Sequence, residues 1–383
     1  MGGSGHGVRR TPHRAEPPPA LLLVPAGLSL IAGIDAALVL AGLPSPVERA
    51  DLGNRHGMLM VFGFLGTLIS LERAVALRRP WALAAPALLG AGGAALALGL
   101  PQRVGAVLVI DGCLALLGVY AGLFARQRDE ATAVEILGVG AALAASVLWL
   151  RVDVYTLLPW LATYIVLVIA AERIELARLH RPQGSERTLL ALGVAVFATA
   201  AMTLAPTGWA DRAFGLALLV LTAWTAFGDV ARKNVRRVGL PRYSAAAMLL
   251  GYLWLAVAAL TWVIGGRPGS LASYDTVVHG VFLGFAMSMV MGHAPIILPA
   301  VIRRPLPYHP VLWLPLGVLH LGLLLRVAVG DGLGVPLAWE AGIWLSVAAL
   351  LLLPLISAAL VVTAPRPART IAAGRAAAER TPS

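Results

Sequence analysis

Twelve apolar runs of about 18 to 25 residues divide almost the whole chain between them. Each is long enough to cross the ~30 Å hydrocarbon core of a bilayer as an α-helix rising about 1.5 Å per residue. They are Ala20–Gly42, His56–Leu77, Trp81–Gly99, Val104–Phe124, Ala131–Leu150, Val154–Leu176, Thr188–Ala205, Arg212–Val230, Tyr243–Ile264, Thr276–Val301, Pro310–Val329 and Pro336–Val362. Only 13% of the 383 residues are charged, about half the share in soluble domains. The connections are too short to hold a soluble domain. The fold class is therefore all-α, a polytopic membrane bundle of about twelve transmembrane helices, with the lipid bilayer as its first partner. The bundle covers 20–362, between a polar Pro/Gly-rich N-terminal tail (1–19) and an Arg/Ala/Pro-rich C-terminal tail (363–383), both expected to be disordered. The first apolar run is too long and unbroken for a cleaved signal peptide and reads as the first span.

Charge sets the orientation. Of the 30 Lys and Arg residues, 23 fall in the two tails, at the inner ends of the even-numbered spans 2 to 10 and in the connections that follow them; Arg49, Arg55, Arg103, Arg151, Arg212, Arg267 and Arg326 lie on the other side. The positive-inside rule then predicts cytoplasmic termini. The net charge of +11 follows from this topology and calls for no nucleic-acid partner.

Cys113 is the single cysteine, so no disulfide, thiolate cluster or c-type haem attachment can be built within the chain. Of eight histidines, His6, His13, His180 and His309 lie in the N-tail or at helix ends; His56, His279, His293 and His320 fall inside predicted spans. A neutral imidazole in hydrocarbon needs partners for a donor and an acceptor. Each is either hydrogen-bonded to a neighbouring helix or a metal ligand, and depth bears on the choice. His56 stands 22 residues before Arg78 and His279 stands 24 before Arg303, a depth difference of about 3 Å near the outer surface. His293 follows His279 by 14 residues, about 21 Å along the axis and about 40° around it. His320 lies ten residues past Pro310, and His293 ten before Arg303, which gives a second depth-matched pair nearer the membrane centre.

A haem held by axial histidines from two helices would use one nitrogen of each ring and leave the other for a carbonyl or carboxylate. Arg55 and Arg326 either pair with its propionates or are residues of the membrane interface. Gly57, Gly63, Gly280 and Gly284 either offer a flat surface to a macrocycle or pack helices together. The second pair, His293 and His320, could hold another haem or a copper ion. Asp35 and Asp111, inside spans 1 and 4, are candidates for a proton relay, or else bond a neighbouring polar group. Glu72 and Glu172, each followed by Arg, read as ion-paired clusters tying helices together. Pro295 and Pro299 should free backbone carbonyls just below His293.

Span 2, "HGMLMVFGFLGTLISLERAVALRRP", and span 10, "HGVFLGFAMSMVMGHAPIILPAVIRRP", both open His-Gly, carry Gly-Phe and end Arg-Arg-Pro; span 6 ends "VIAAERIELARLHRP". The spacing of four spans points to three degenerate four-helix units. Twelve helices, "HGMLMVFGF" on span 2 and a histidine-bearing span 10 resemble the catalytic subunit of haem–copper oxidases, and more closely the NnrS family of haem- and copper-containing membrane proteins associated with nitric oxide stress. The layout covers nearly the whole chain; the motifs cover spans 2 and 10. The resemblance implies a bacterial cytoplasmic (inner) membrane protein with His56 and His279 on one haem b, with copper as a further cofactor. Electron transfer, or handling of a diatomic gas such as nitric oxide, would follow, with a redox partner or the gas itself as the ligand. Spans 6 and 7 lack the copper-binding histidines of the oxidases, so a complete oxygen-reducing centre is not implied. The rival reading is a proton-coupled secondary transporter, since twelve spans with inside termini is also a transporter layout.

Overall fold

The computed structural model describes residues 19–178, 182–205 and 207–364. The N-terminal tail before Pro19, nearly all of the C-terminal tail, and with them His6, His13 and His180, lie outside the described residues. The described chain is all-helical, without strands. Twelve helices are long and apolar enough to cross a membrane: α1 (Pro19–Leu40), α2 (His56–Leu77), α3 (Pro80–Ala97), α4 (Gln102–Arg126), α5 (Glu130–Leu148), α6 (Val154–Leu176), α7 (Ser185–Met202), α8 (Ala210–Gly228), α9 (Leu240–Gly265), α10 (Leu271–Ile302), α11 (Pro310–Asp331) and α12 (Pro336–Thr363). Every expected span is present.

The ends differ from the expectation where polar capping residues, rather than the apolar pattern, start a helix. The tenth begins five residues early because Ser270 and Ser273 form a capping box, Ser270 Oγ accepting from Ser273 N. The fifth starts at Glu130 because the Asp129 carboxylate accepts from Thr132 N at 2.8 Å.

Three helices form the interior. In α6, α2 and α10, 83%, 72% and 67% of the apolar window is buried, against at most 56% in the other nine. Close approach relies on small residues: a Cβ on Gly63 of α2 would lie 2.9 Å from Gly93 Cα of α3 and 2.6 Å from Ser29 Oγ of α1.

The echo between α2 and α10 is structural. Each winds as a π-helix from, or just after, the histidine of its His-Gly pair, over Leu59–Gly66 and His279–Met287. Each ends on the first arginine of its Arg-Arg-Pro sequence in the left-handed conformation, Arg78 and Arg303 both at φ 53°, the only non-glycine residues with positive φ among those described. A third π-helical stretch, Leu324–Asp331, ends α11. Pro295 does free a carbonyl, that of Met291, and Tyr243 Oη of α9 donates to it at 3.2 Å; the neighbouring Gly292 carbonyl takes Ser244 Oγ at 2.7 Å. The helix therefore continues through both prolines to Ile302.

Candidate functional site

The π-helical segments of α2 and α10 face a cavity of about 610 Å³, within the range of small-molecule and cofactor sites. Its floor is apolar, with Leu65, Leu158, Leu161, Phe282, Leu283, Met287 and Leu350; its mouth carries Asn54, Gln102, Arg151, Asp153 and Tyr155. His56 and His279 both line it. The equal depth read from the sequence thus brings the two rings to one space.

Each ring is held through Nδ1. His56 Nδ1 donates to the Gly33 carbonyl of α1 at 2.8 Å. His279 Nδ1 lies 2.9 Å from Asp275 Oδ1, one turn back on the same helix, and 3.1 Å from the Asp275 carbonyl. With acceptors at Nδ1, the proton sits there and the Nε2 lone pair of each ring is left for the cavity. This is the arrangement by which a carbonyl or carboxylate orients a metal-binding imidazole. Asp275 is itself fixed by Arg326 of α11, whose Nε and Nη2 reach the carboxylate at 2.6 and 2.7 Å. The Arg326 guanidinium also lies 5.5 Å from the Trp339 ring of α12.

The other expected residues have different surroundings. Arg55 does not line the cavity; its Nη1 donates to the Leu96 and Leu100 carbonyls at the end of α3, and its Nη2 pairs with Asp51 at 3.2 Å. Arg326 does line it, with two of its nitrogens engaged by Asp275. Gly57 is part of the cavity wall, whereas Gly63, Gly280 and Gly284 pack helices: the last two sit against Trp254 and Ala258 of α9. Asp35 is buried and holds the α1–α2 connection, Oδ1 accepting from Val47 N at 3.0 Å. Asp111 is exposed on the outer surface of α4 and takes no part in the interior.

His293 and His320 are not brought together. His293 Nδ1 donates to the Met289 carbonyl at 2.7 Å and its Nε2 accepts from Arg173 Nη1 at 3.3 Å. His320 Nδ1 accepts from Trp254 Nε1 at 3.0 Å and its Nε2 faces Ser288 Oγ at 3.2 Å. Ser288 donates to the Gly284 carbonyl, so its oxygen takes the His320 proton. All four nitrogens are committed to protein partners, which leaves no lone pair for a shared metal. Depth fixes one coordinate only; in azimuth, one ring turns to α6 and the other to α9. Among the described residues no group of three or more His, Cys, Asp or Glu side chains is arranged to hold a metal ion.

Asp275 was missed from the sequence, although "DTVVH" places a carboxylate one turn before His279, a spacing that was there to be read. The other omission is the buried network behind His293. Asp229, in the α8–α9 connection, accepts from Arg173 Nη2 at 2.7 Å and Nε at 3.1 Å, from Tyr252 Oη at 2.8 Å and from Ala231 N at 2.8 Å. Burial opposes its ionisation, but the Arg173 hydrogen bonds and charge prevail and hold the carboxyl below its ordinary range.

The chain belongs to the DUF8744 family, a domain of unknown function, whose family model matches residues 20–362, the whole membrane bundle. No curated protein and no solved structure matches it.

Proposed function

We propose that the outer cavity binds one b-type haem between His56 and His279, and that the protein passes electrons or handles a diatomic gas, such as nitric oxide, in a bacterial cytoplasmic membrane. The observation that carries the reading is the pair of histidines, one from each of two inner helices, lining one cavity with Nδ1 occupied and Nε2 free. Two axial ligands suffice for a haem iron, whereas a bare metal ion ordinarily needs three or four protein groups. An apolar floor and a polar mouth match a macrocycle with a hydrocarbon body and a carboxylate edge, with Arg326 and Arg151 in the wall near that edge. When bound, the group would supply one-electron chemistry or a gas-binding iron. The chain's own residues do the rest: Gly33 and Asp275 fix the tautomer and the ring planes, Arg326 holds Asp275, and the leucines of the floor exclude water. Nothing in the surroundings of His293 and His320 favours a second metal.

The test is the absorption spectrum of the detergent-purified protein, oxidised and reduced. A low-spin b-type spectrum lost in both His56→Ala and His279→Ala, with each variant still inserting, supports the reading. A wild type without bound haem after expression with ample haem, or spectra unchanged in both variants, ends it.

A further inference from the structure

A second cavity, of about 140 Å³, lies toward the arginine-rich end between the same three inner helices. Leu65 belongs to the wall of both cavities. Its lining is hydrocarbon except for Glu72 of α2, Glu172 of α6 and His293 of α10. His293 has both nitrogens spent and contributes a neutral ring. The Glu72 and Glu172 carboxyl groups lie within hydrogen-bonding reach of one another. Two ionised carboxylates have no donor to share, so such a contact requires a proton between them.

A proton on the pair also lessens an excess of negative charge around it. Arg73 of α2 stands 3.1 Å from Glu135 of α5, 3.3 Å from Glu172 and 3.8 Å from Glu175. Arg173, the other nearby cation, is turned to Asp229 and His293. One guanidinium thus serves Glu135 and Glu172, with Glu72 beside them, inside the bundle, while Glu175 lies half-exposed at the water-facing edge. Full ionisation would leave two uncompensated negative charges among hydrocarbon walls. A separate observation marks a place for water. Tyr120 Oη, on a fully buried residue, makes no hydrogen bond, and the Tyr120 ring lies under the Arg73 guanidinium. Buried polar atoms left open in this way are ordinarily satisfied by ordered water.

We propose that Glu72 and Glu172 form a proton-binding site that holds one shared proton at neutral pH and exchanges it with water at the arginine-rich end by way of Glu175. In that exchange hydronium gives its proton to a carboxylate oxygen of the pair and leaves as water; no electron moves and no cofactor takes part. The site faces the outer cavity across the Leu65 wall, and the inference holds whatever that cavity binds.

Infrared spectroscopy of the full chain in liposomes tests it. At pH 7 the wild type should show a protonated-carboxyl stretching band that shifts in D2O, and the band should be lost or moved in both Glu72→Gln and Glu172→Gln. Absence of any such band in the wild type, or a band unchanged in either variant, overturns the proposal. The wild-type measurement decides even if a variant does not fold. A haem spectrum that depends on His56 but is the same in Glu72→Gln separates this site from the reading of the outer cavity.

Discussion

Replacing Asp229 with Ala should be among the most damaging single changes in the bundle. The substitution removes the acceptor for two Arg173 hydrogen bonds, for the Tyr252 hydroxyl and for Ala231 N. Arg173, its side chain 9% exposed, keeps only the His293 nitrogen. Leaving one partner of a buried ion pair uncompensated costs about 3–5 kcal/mol, a loss of about 10²- to 10⁴-fold in the folded-to-unfolded ratio at about 1.4 kcal/mol per tenfold. Tyr252→Phe deletes one hydrogen bond to a carboxylate that Arg173 still holds, and should cost about 1.5 kcal/mol. Denaturation in detergent micelles, followed by tryptophan fluorescence, measures both. The Asp229 carboxyl is held below its ordinary value of 3.8, so near and below that pH the folded state binds fewer protons than the unfolded. Its stabilisation is complete above that pH and disappears as pH falls through the lowered value. The wild type should therefore lose its advantage over Asp229→Ala on acidification. An Asp229→Ala protein within about 1 kcal/mol of wild type, the size of an ordinary point mutation, would refute the network, and with it the assignment of His293 Nε2 to Arg173.

Asp275→Asn removes the charge between His279 and Arg326 while keeping the shape. If His279 is an axial ligand, haem retention should weaken by about 10- to 100-fold, read as haem lost to apomyoglobin, and unchanged retention would detach Asp275 from the site. Trp254→Phe takes the donor from His320 Nδ1 and should destabilise by about 1–3 kcal/mol without altering haem content; a parallel loss of haem would reopen a metal role for His320. Reporter fusions at Arg79 and Arg237 should share a cytoplasmic location, with Arg267 on the opposite side; Arg79 and Arg267 reporting the same side would overturn the orientation.

The spans were legible because hydrocarbon thickness acts on every residue of a helix, so composition alone carries the signal. Helix ends were less so, since Asp129 and Ser270 act through one or two local hydrogen bonds that an apolar window averages away. For the site, depth was readable and azimuth was not. His56 and His279 met, while His293 and His320, matched in depth as well, turned to different helices. Arg55, a candidate propionate partner from its place beside His56, instead sends its guanidinium to the open Leu96 and Leu100 carbonyls at the end of α3. Asp111 shows the same limit, since a carboxylate within an apolar run carries no mark of whether it faces the interior or the outside.

The repeated features of α2 and α10 bear on why this pair of helices, and not α6, presents the free imidazoles. A π-helical run and a left-handed arginine are each less favourable than the regular alternative, yet both occur at matching places in the two helices. Two unrelated helices would have no reason to accept the same costs in the same order. The third inner helix, α6, opens on Val154 without a histidine and has no π-helical segment, and it supplies leucines to the cavity wall instead. Toward the other end the roles redistribute: α2 and α6 bring Glu-Arg, and α10 brings a histidine whose nitrogens are closed. One three-helix core therefore carries two chemistries at different depths, uncommitted nitrogen lone pairs above Leu65 and carboxyl groups below it. The boundary between them holds the Leu65 side chain, which lines both cavities. A Leu65→Ala variant should open it, because removing the buried side chain leaves a cavity where both walls now meet. The pH response of any ligand spectrum in the outer cavity should then follow the pH at the arginine-rich face. A spectrum that stays insensitive to that face in Leu65→Ala would show that the two sites are insulated by more than this one side chain.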